Sequence, residues 1–537
     1  MARVPQPDGH RRRTRSVAAM TDISGRAQGG VTSPAQGLGL CDVVESHSRY
    51  RSDAVALIDD AGSVTWSQLR ERIARMVHGL KERGVERGDV VTVADGICID
   101  YVVLYYATAR LGAVLVPLNW RLNRASVLSF IDRTNPKLIL AGSEQRDLVD
   151  PGADHVIADD VDATWAEQLC STHAATAPSH ANSDDPHLII FTSGTTGVPK
   201  AAVLSQRGTM FDAYGGALAS GLRPDDRLFV YQAPYHGGTW ALIRQYMLVG
   251  GSVVLTRSFN AARALETIRQ HRCTSFFAVP LVLQGLVEAE NFEEADLSSL
   301  RHVVFASYDP NSGVLPVIEQ IRRRGTPRMT IEHIYGQTEN SSLITTARPE
   351  VCEEDISSVG TPVPGVLVSI RDADGAELLP GEVGEICVRS SSMMIGYLDN
   401  PEATAEAFRG GWLHTGDLGQ VGERGMLHIV GRLKEMIRTG GVNVYPREVA
   451  QKLGEHPSIR DCAVFGVPDA RYDERVAAAV VTSDPHLTPK DVIAWTRERL
   501  ASYQAPRQVI ILDALPKTAA GKTATAELVA QARQLLS

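Results

Sequence analysis

Two glycines, four hydroxyls and a lysine crowd into the ten residues Phe191-Thr192-Ser193-Gly194-Thr195-Thr196-Gly197-Val198-Pro199-Lys200. Glycines let backbone N–H groups approach an anion, hydroxyls donate to its oxygens, and a lysine adds a point charge, so the stretch suits phosphate binding. It is not the GxxxxGK[ST] loop, because its lysine follows proline and precedes alanine. A bare glycine-threonine turn is the plainer alternative, and the density of donors argues against it. Four further polar groups stand out: Tyr335-Gly336-Gln337-Thr338-Glu339, His414-Thr415-Gly416-Asp417, the segment opening at Gly431-Arg432, and Lys522 between Gly521 and Thr523. Taken singly, each reads as a packed turn or a solvated lysine.

Elements must bring these groups together. The apolar run Leu188-Ile189-Ile190-Phe191 predicts a buried strand that delivers the chain into the glycine-rich loop. From Val43 to about residue 142, helical stretches such as Trp66 to Glu82 alternate with short apolar runs at 90–93 and 113–117, the pattern of βα units. Strand-sized runs recur at 228–231, 252–255 and 302–305. Val366 to Asp372 and Gly384 to Arg389 bracket the turn signals Asp374-Gly375 and Pro380-Gly381, which predicts antiparallel pairing. Residues 171–186 are small, polar and proline-broken, as a surface connection would be.

At 537 residues the chain exceeds what one core normally serves, and two to four domains are expected. Residues 1–38, with His10-Arg11-Arg12-Arg13 and almost no apolar periodicity, read as a disordered extension. Asp8 and Asp22 interrupt what would otherwise resemble a transit peptide, and Met20 is an equally acceptable start. A net charge of -9 argues against a surface drawn as a whole to nucleic acid or acidic lipid. Seven scattered cysteines without a CxxC pair read as reduced thiols, pointing to the cytoplasm. No apolar stretch is long enough to span a membrane.

The motifs in order resemble one family from about residue 42 to the end: FTSGTTGVPK, then YGQTE at 335–339, HTGD at 414–417, GRLKEMIRTGGVNVYPREV from Gly431, and LPKTAAGK ending at Lys522. This is the adenylate-forming superfamily of acyl-CoA and aryl-CoA synthetases, peptide-synthetase adenylation domains and luciferases. The resemblance implies an α/β fold: a large N-terminal region over 39–433 and a small mobile α+β domain over 434–537, hinged at Lys434. It also implies an acid–thiol ligase that uses ATP with Mg²⁺ to make an acyl-adenylate, then passes the acyl group to CoA.

By the same resemblance, Thr192, Ser193, Gly194, Thr195, Thr196, Gly197 and Lys200 cradle phosphates, and Ser307, Tyr308, Tyr335 and Gly336 border the nucleotide. Thr338 donates to the α-phosphate and Glu339 helps hold Mg²⁺. Asp417, with Arg432 nearby, takes the ribose hydroxyls. Lys522 bridges the acyl carboxylate and α-phosphate, then leaves as the small domain turns. Gly440 and Gly441 then let the pantetheine arm pass. His236, within Tyr235-His236-Gly237-Gly238, takes a gating position in the catalytic set and lines the acyl pocket with Gly238, Trp240, Tyr308, Gly336 and Gln337. Acid–base work is not assigned to it.

Three departures qualify the match. Ala306-Ser307-Tyr308-Asp309 replaces a stretch of small residues, placing a ring beside the acyl or purine site, Asp473 stands where relatives often have glycine, and Thr525 where they often have arginine. Alternatives are therefore a member limited to thioester formation from a supplied adenylate, an adenylating enzyme that loads a carrier protein, or a non-catalytic binder. The partners expected are a carboxylic acid, ATP and CoA, in a monomer or homodimer.

Overall fold

The computed structural model describes residues 39–150, 153, 155–160, 163–170, 181–192, 199–306, 314–469, 471–516 and 524–534. The extension 1–38, Ser193 to Gly197, Ser307, Tyr308 and Lys522 lie outside the described residues. Among the described residues, no helix is long and apolar enough to cross a membrane.

Helix Trp66–Glu82 forms where its periodicity predicts. Thr65 Oγ1 accepts the Gln68 N–H, the Gln68 side chain accepts the Thr65 N–H, and the stripe Leu69, Ile73, Met76, Val77 and Leu80 is buried. Helix Ile99–Leu111, by contrast, is buried nearly all round, with only Asp100 and Arg110 partly exposed, because it is enclosed by the largest core. That core draws on two sheets. One has nine strands, of which Thr330–Tyr335, His302–Phe305, Ser275–Ala278, Arg227–Val230, Ser252–Leu255 and Val55–Asp59 run parallel as neighbours. The other has seven, with Pro186–Thr192, Val114–Pro117, Val90–Ala94, Leu138–Ala141 and Val156–Ala158 parallel as neighbours. Strands buried on both faces need near-continuous apolar runs, as the sequence has at 90–93 and 228–230.

Strand Pro186–Thr192 turns back antiparallel into Lys200–Ser205, with Thr192 paired to Lys200. Thr192 and Lys200, at the two ends of the glycine-rich motif, are therefore neighbours in the sheet. Strands Val366–Arg371, Gly384–Ser390, Leu413–Val421 and Leu427–Arg432 make a four-stranded antiparallel sheet, in which the first two pair as the turn signals predict.

From Ile437 onward a five-stranded sheet carries helices Pro446–Gly454, Pro489–Arg497 and Thr525–Gln534. Its central strand Asp473–Thr482 alternates faces: Val476, Ala478 and Val480 pack with Val449 and Leu453, whereas Ala477 and Ala479 pack with Phe465 and Leu528. Neither of these two cores includes a residue before Ile437. Helix Pro446–Gly454 rests on strand Leu427–Arg432, where Arg447 Nη1 donates to the Ile429 carbonyl at 2.5 Å.

Candidate active site

Strand Thr330–Tyr335 and helix Gly237–Leu248 converge on one cavity of about 1030 Å³. His236, Gly238, Gly336 and Gln337, expected at an acyl pocket, line it together with Thr338. Trp240 does not. Its ring stacks on Tyr105 at 4.3 Å in the core and its indole N–H donates to the Pro234 carbonyl at 2.6 Å, so the expected acyl-pocket position is corrected to a packing position. The cause is helical phase, since Gly238, Ala241, Leu242 and Gln245 form the stripe facing the cavity and Trp240 points away from it.

His236 caps the start of this helix, exposed, with its ring 4.6 Å from that of Tyr235. The 3₁₀ turn Thr338–Asn340 follows the strand directly. Gly336 is required there, because a Cβ on it would lie 1.6 Å from the Ser342 carbonyl oxygen. The returning chain holds Ser341 at φ 58 and Ser342 at φ 126, conformations that survive only when the surroundings enforce them. Buried Asp212 and Arg244 do so. Asp212 Oδ1 accepts the Leu343 N–H at 2.9 Å, Arg244 Nη2 donates to the Ser341 carbonyl at 3.3 Å, and the two side chains pair at 3.2 Å. Burial pushes the Asp212 carboxyl up, and the Arg244 charge pulls it back.

Glu339 Oε1 accepts a 2.9 Å hydrogen bond from the Tyr397 hydroxyl, and the Lys200 ammonium sits 4.7 Å from the centre of the Tyr397 ring. Burial, and after it the Glu339 charge, keeps that phenol protonated. Tyr397 was not foreseen from sequence, where a Gly-Tyr pair before a turn carries no chemical signal.

Asp417 is placed by strand register. It faces Arg432 across Leu413–Val421 and Leu427–Arg432, with Arg432 Nε 2.7 Å from Oδ1. The Tyr335 hydroxyl donates to Oδ2 at 2.8 Å. Burial first and then the Asp417 charge push the Tyr335 phenol well up, which keeps it a donor. Nearby Glu385 braces the His-Thr-Gly-Asp turn: Oε1 accepts the Gly416 N–H at 3.0 Å and Oε2 lies 2.7 Å from His414 Nδ1. Cys387 completes a trio of ligand-type atoms within 4.8 Å, yet the Arg409 guanidinium on the same Glu385 oxygen makes this a hydrogen-bonded brace.

Gly440 at φ 59 and Gly441 at φ 81 form the two-residue turn of the hairpin joining Ile437–Thr439 to Val442–Val444. A Cβ on Gly441 would meet nothing within 4 Å. Lys434 is exposed just beyond Arg432.

Comparison with known proteins gives the family. The family described as AMP-binding enzyme matches residues 44–398, and its C-terminal domain, described as AMP-binding enzyme C-terminal domain, matches 448–522. A feruloyl-CoA synthase of Amycolatopsis sp is 33% identical, over 92% of this chain and 98% of its own. A fatty acid–[acyl-carrier-protein] ligase of Streptomyces coeruleorubidus is 31% identical, over 91% and 95%. The solved o-succinylbenzoate CoA synthetase of Bacillus subtilis, in complex with its acyl-adenylate intermediate, superposes with a TM-score of 0.78 at 26% identity, over 90% of this chain and 97% of that one. The chain belongs to the AMP-binding enzyme family, as an acyl-CoA ligase of the adenylate-forming superfamily.

Proposed function

We propose that the cavity holds a carboxylic acid with its carboxylate at Thr338, and that the nucleotide lies across Tyr335, Asp417 and Arg432. One observation carries this reading: a single segment, Tyr335 to Glu339, serves both halves. Thr338 lines the acid cavity, with its hydroxyl 3.4 Å from where a Cβ on Gly237 would stand, while Tyr335 holds Asp417. The acid carboxylate attacks the α-phosphorus of ATP, a new C–O–P link forms, and pyrophosphate leaves. A thiol then attacks the acyl carbon, forms the thioester and releases AMP.

In this reading Asp417 accepts from the ribose hydroxyls and Thr338 donates to the α-phosphate. Lys200 serves the leaving phosphates with the segment Thr192 to Gly197. Glu339 fits Mg²⁺: it offers hard carboxylate oxygens, Oε1 is held by Tyr397, and Oε2 has no partner among the described residues. Bound with ATP, the ion would neutralise phosphate charge. The chain from Lys434 onward acts as a small domain that presents Lys522 for adenylation and the Gly441 turn for thioester formation.

CoA is the acceptor thiol. A carrier-protein thiol is the second reading, supported by the acyl-carrier-protein ligase among the relatives. The test is a panel of carboxylic acids assayed for acid-dependent pyrophosphate release and for thioester formed with CoA or with a phosphopantetheinylated carrier. Thioester from supplied adenylates without pyrophosphate release from ATP would overturn the adenylation half.

A further inference from the structure

Two elements leave the reacting end of the acid cavity together, and both end on a polar side chain. On helix Gly237–Leu248 the cavity-facing stripe runs Gly238, Ala241, Leu242, Gln245, and eight residues of helix carry Gln245 about 12 Å beyond Gly237. On strand Thr330–Tyr335 and the turn after it, the stripe is Gly336, Ile334, Glu332, and four residues of strand carry Glu332 about 13 Å beyond Gly336. Glycines and aliphatic groups at the near end thus give way to an amide and a carboxylate at similar depth.

The two polar groups differ in what holds them. Glu332 Oε1 accepts from Ser220 Oγ at 3.0 Å and from Thr346 Oγ1, and Oε2 lies 2.7 Å from His302 Nε2. Two hydroxyl donors occupy Oε1, and Oε2 keeps the capacity to accept a further donor. Gln245 is only 5% exposed, yet among the described residues its amide has no hydrogen-bond partner. It rests over Gly216 of helix Gln206–Ala219, where a Cβ would come within 2.2 Å of Nε2. The amide is not sealed in the core: its polar atoms open onto the cavity, where a bound group can reach them. The residue answers to a group that enters from the cavity.

We infer that the far end of the acid cavity hydrogen-bonds a hydroxyl or similarly small polar group on the acid, with Gln245 as the residue that selects for it. A hydroxyl suits this end because it can accept from the Gln245 NH₂ and donate to the Gln245 carbonyl or to Glu332. The group can sit on an alkyl chain or an aromatic ring. The inference rests on the assignment of the cavity to the acid.

Two matched pairs test it: decanoate against 10-hydroxydecanoate, and 4-phenylbutanoate against 4-(4-hydroxyphenyl)butanoate. Acid-dependent pyrophosphate release is measured for the native protein and for Gln245→Leu. In at least one pair the native kcat/KM should favour the hydroxylated acid tenfold or more, and Gln245→Leu should abolish or reverse that ratio with the KM for ATP unchanged. The pair that responds tells chain from ring. A native ratio at or below one in both pairs overturns the inference, as does a ratio that Gln245→Leu leaves unchanged. Should Gln245→Leu fail to fold, Gln245→Met, of matching length, takes its place, and the native ratio stands as evidence alone. Absence of pyrophosphate release with every acid would overturn the adenylation half of the proposed function, and the inference with it.

Discussion

The Tyr335 hydroxyl donates to Asp417 Oδ2 at 2.8 Å, across 82 residues of chain. With Arg432 at the other oxygen, this fixes a carboxylate that is only 2% exposed and aims it at one place. Tyr335→Phe keeps the ring and loses one hydrogen bond to a charged group, worth about 1.5–3 kcal/mol. The KM for ATP should therefore rise roughly tenfold or more, and the melting temperature should fall, because the same bond also stabilises the fold. Asp417→Ala, which leaves Arg432 and Tyr335 facing a void, should raise that KM further and destabilise the fold. An unchanged ATP KM in both variants would move the nucleotide elsewhere.

Glu339 and Tyr397 should govern the metal requirement. Glu339→Gln removes the charge, so the Mg²⁺ concentration giving half-maximal pyrophosphate release should rise about tenfold or more, roughly 1.4 kcal/mol in coordination. Tyr397→Phe frees the carboxylate to rotate and should have the same effect to a smaller degree. Titration of pyrophosphate release with MgCl₂ reads both.

Stability should fall on mild acidification because of His187. This ring is fully buried against Tyr105, and among the described residues neither nitrogen has a hydrogen bond. Burial, and next the Arg244 charge, pushes it down to about 3 from an ordinary 6.5. The unfolded chain therefore binds a proton between those values that the folded chain refuses, so stability is full above 6.5 and is lost as pH falls, by about 1.4 kcal/mol per pH unit. His187→Leu should flatten the dependence of unfolding free energy on pH between 6.5 and 5. An unaltered slope would place the titration on another group.

The Gly440-Gly441 turn and Lys522 should separate the two half-reactions. Lys522→Ala should severely slow adenylation while sparing thioester formation from supplied acyl-adenylate, and Gly441→Leu should do the reverse. Because φ at Gly441 is 81, Gly441→Asn is the control, since asparagine tolerates that backbone. Equal damage to both steps in both variants, with folding intact, would defeat the alternating-domain reading.

A departure noted from sequence now has a geometry. Asp473 stands at φ 69, a left-handed conformation that glycine adopts without cost. Asp473→Gly should raise stability by up to about 1 kcal/mol, read as a higher melting midpoint.

Much of this chain was legible without coordinates because the signals are local. Helix Trp66–Glu82 follows from a 3.6-residue stripe and a capping box, the strands at 90–94 and 227–230 from continuous apolar runs, and the pairing of Val366–Arg371 with Gly384–Ser390 from the turns between them. The adenylate-forming chemistry was legible because its motifs are short, ordered strings. Tertiary structure alone decided which face of each element meets the cavity. Helix Gly237–Leu248 is apolar almost all round, so nothing in its sequence says that Trp240 turns to Tyr105 and Gln245 to the cavity. That choice belongs to neighbouring helices and strands that supply the opposing surfaces. The contacts Tyr397 to Glu339 and Tyr335 to Asp417 join segments 58 and 82 residues apart, and only strand register and sheet packing bring them within hydrogen-bond reach.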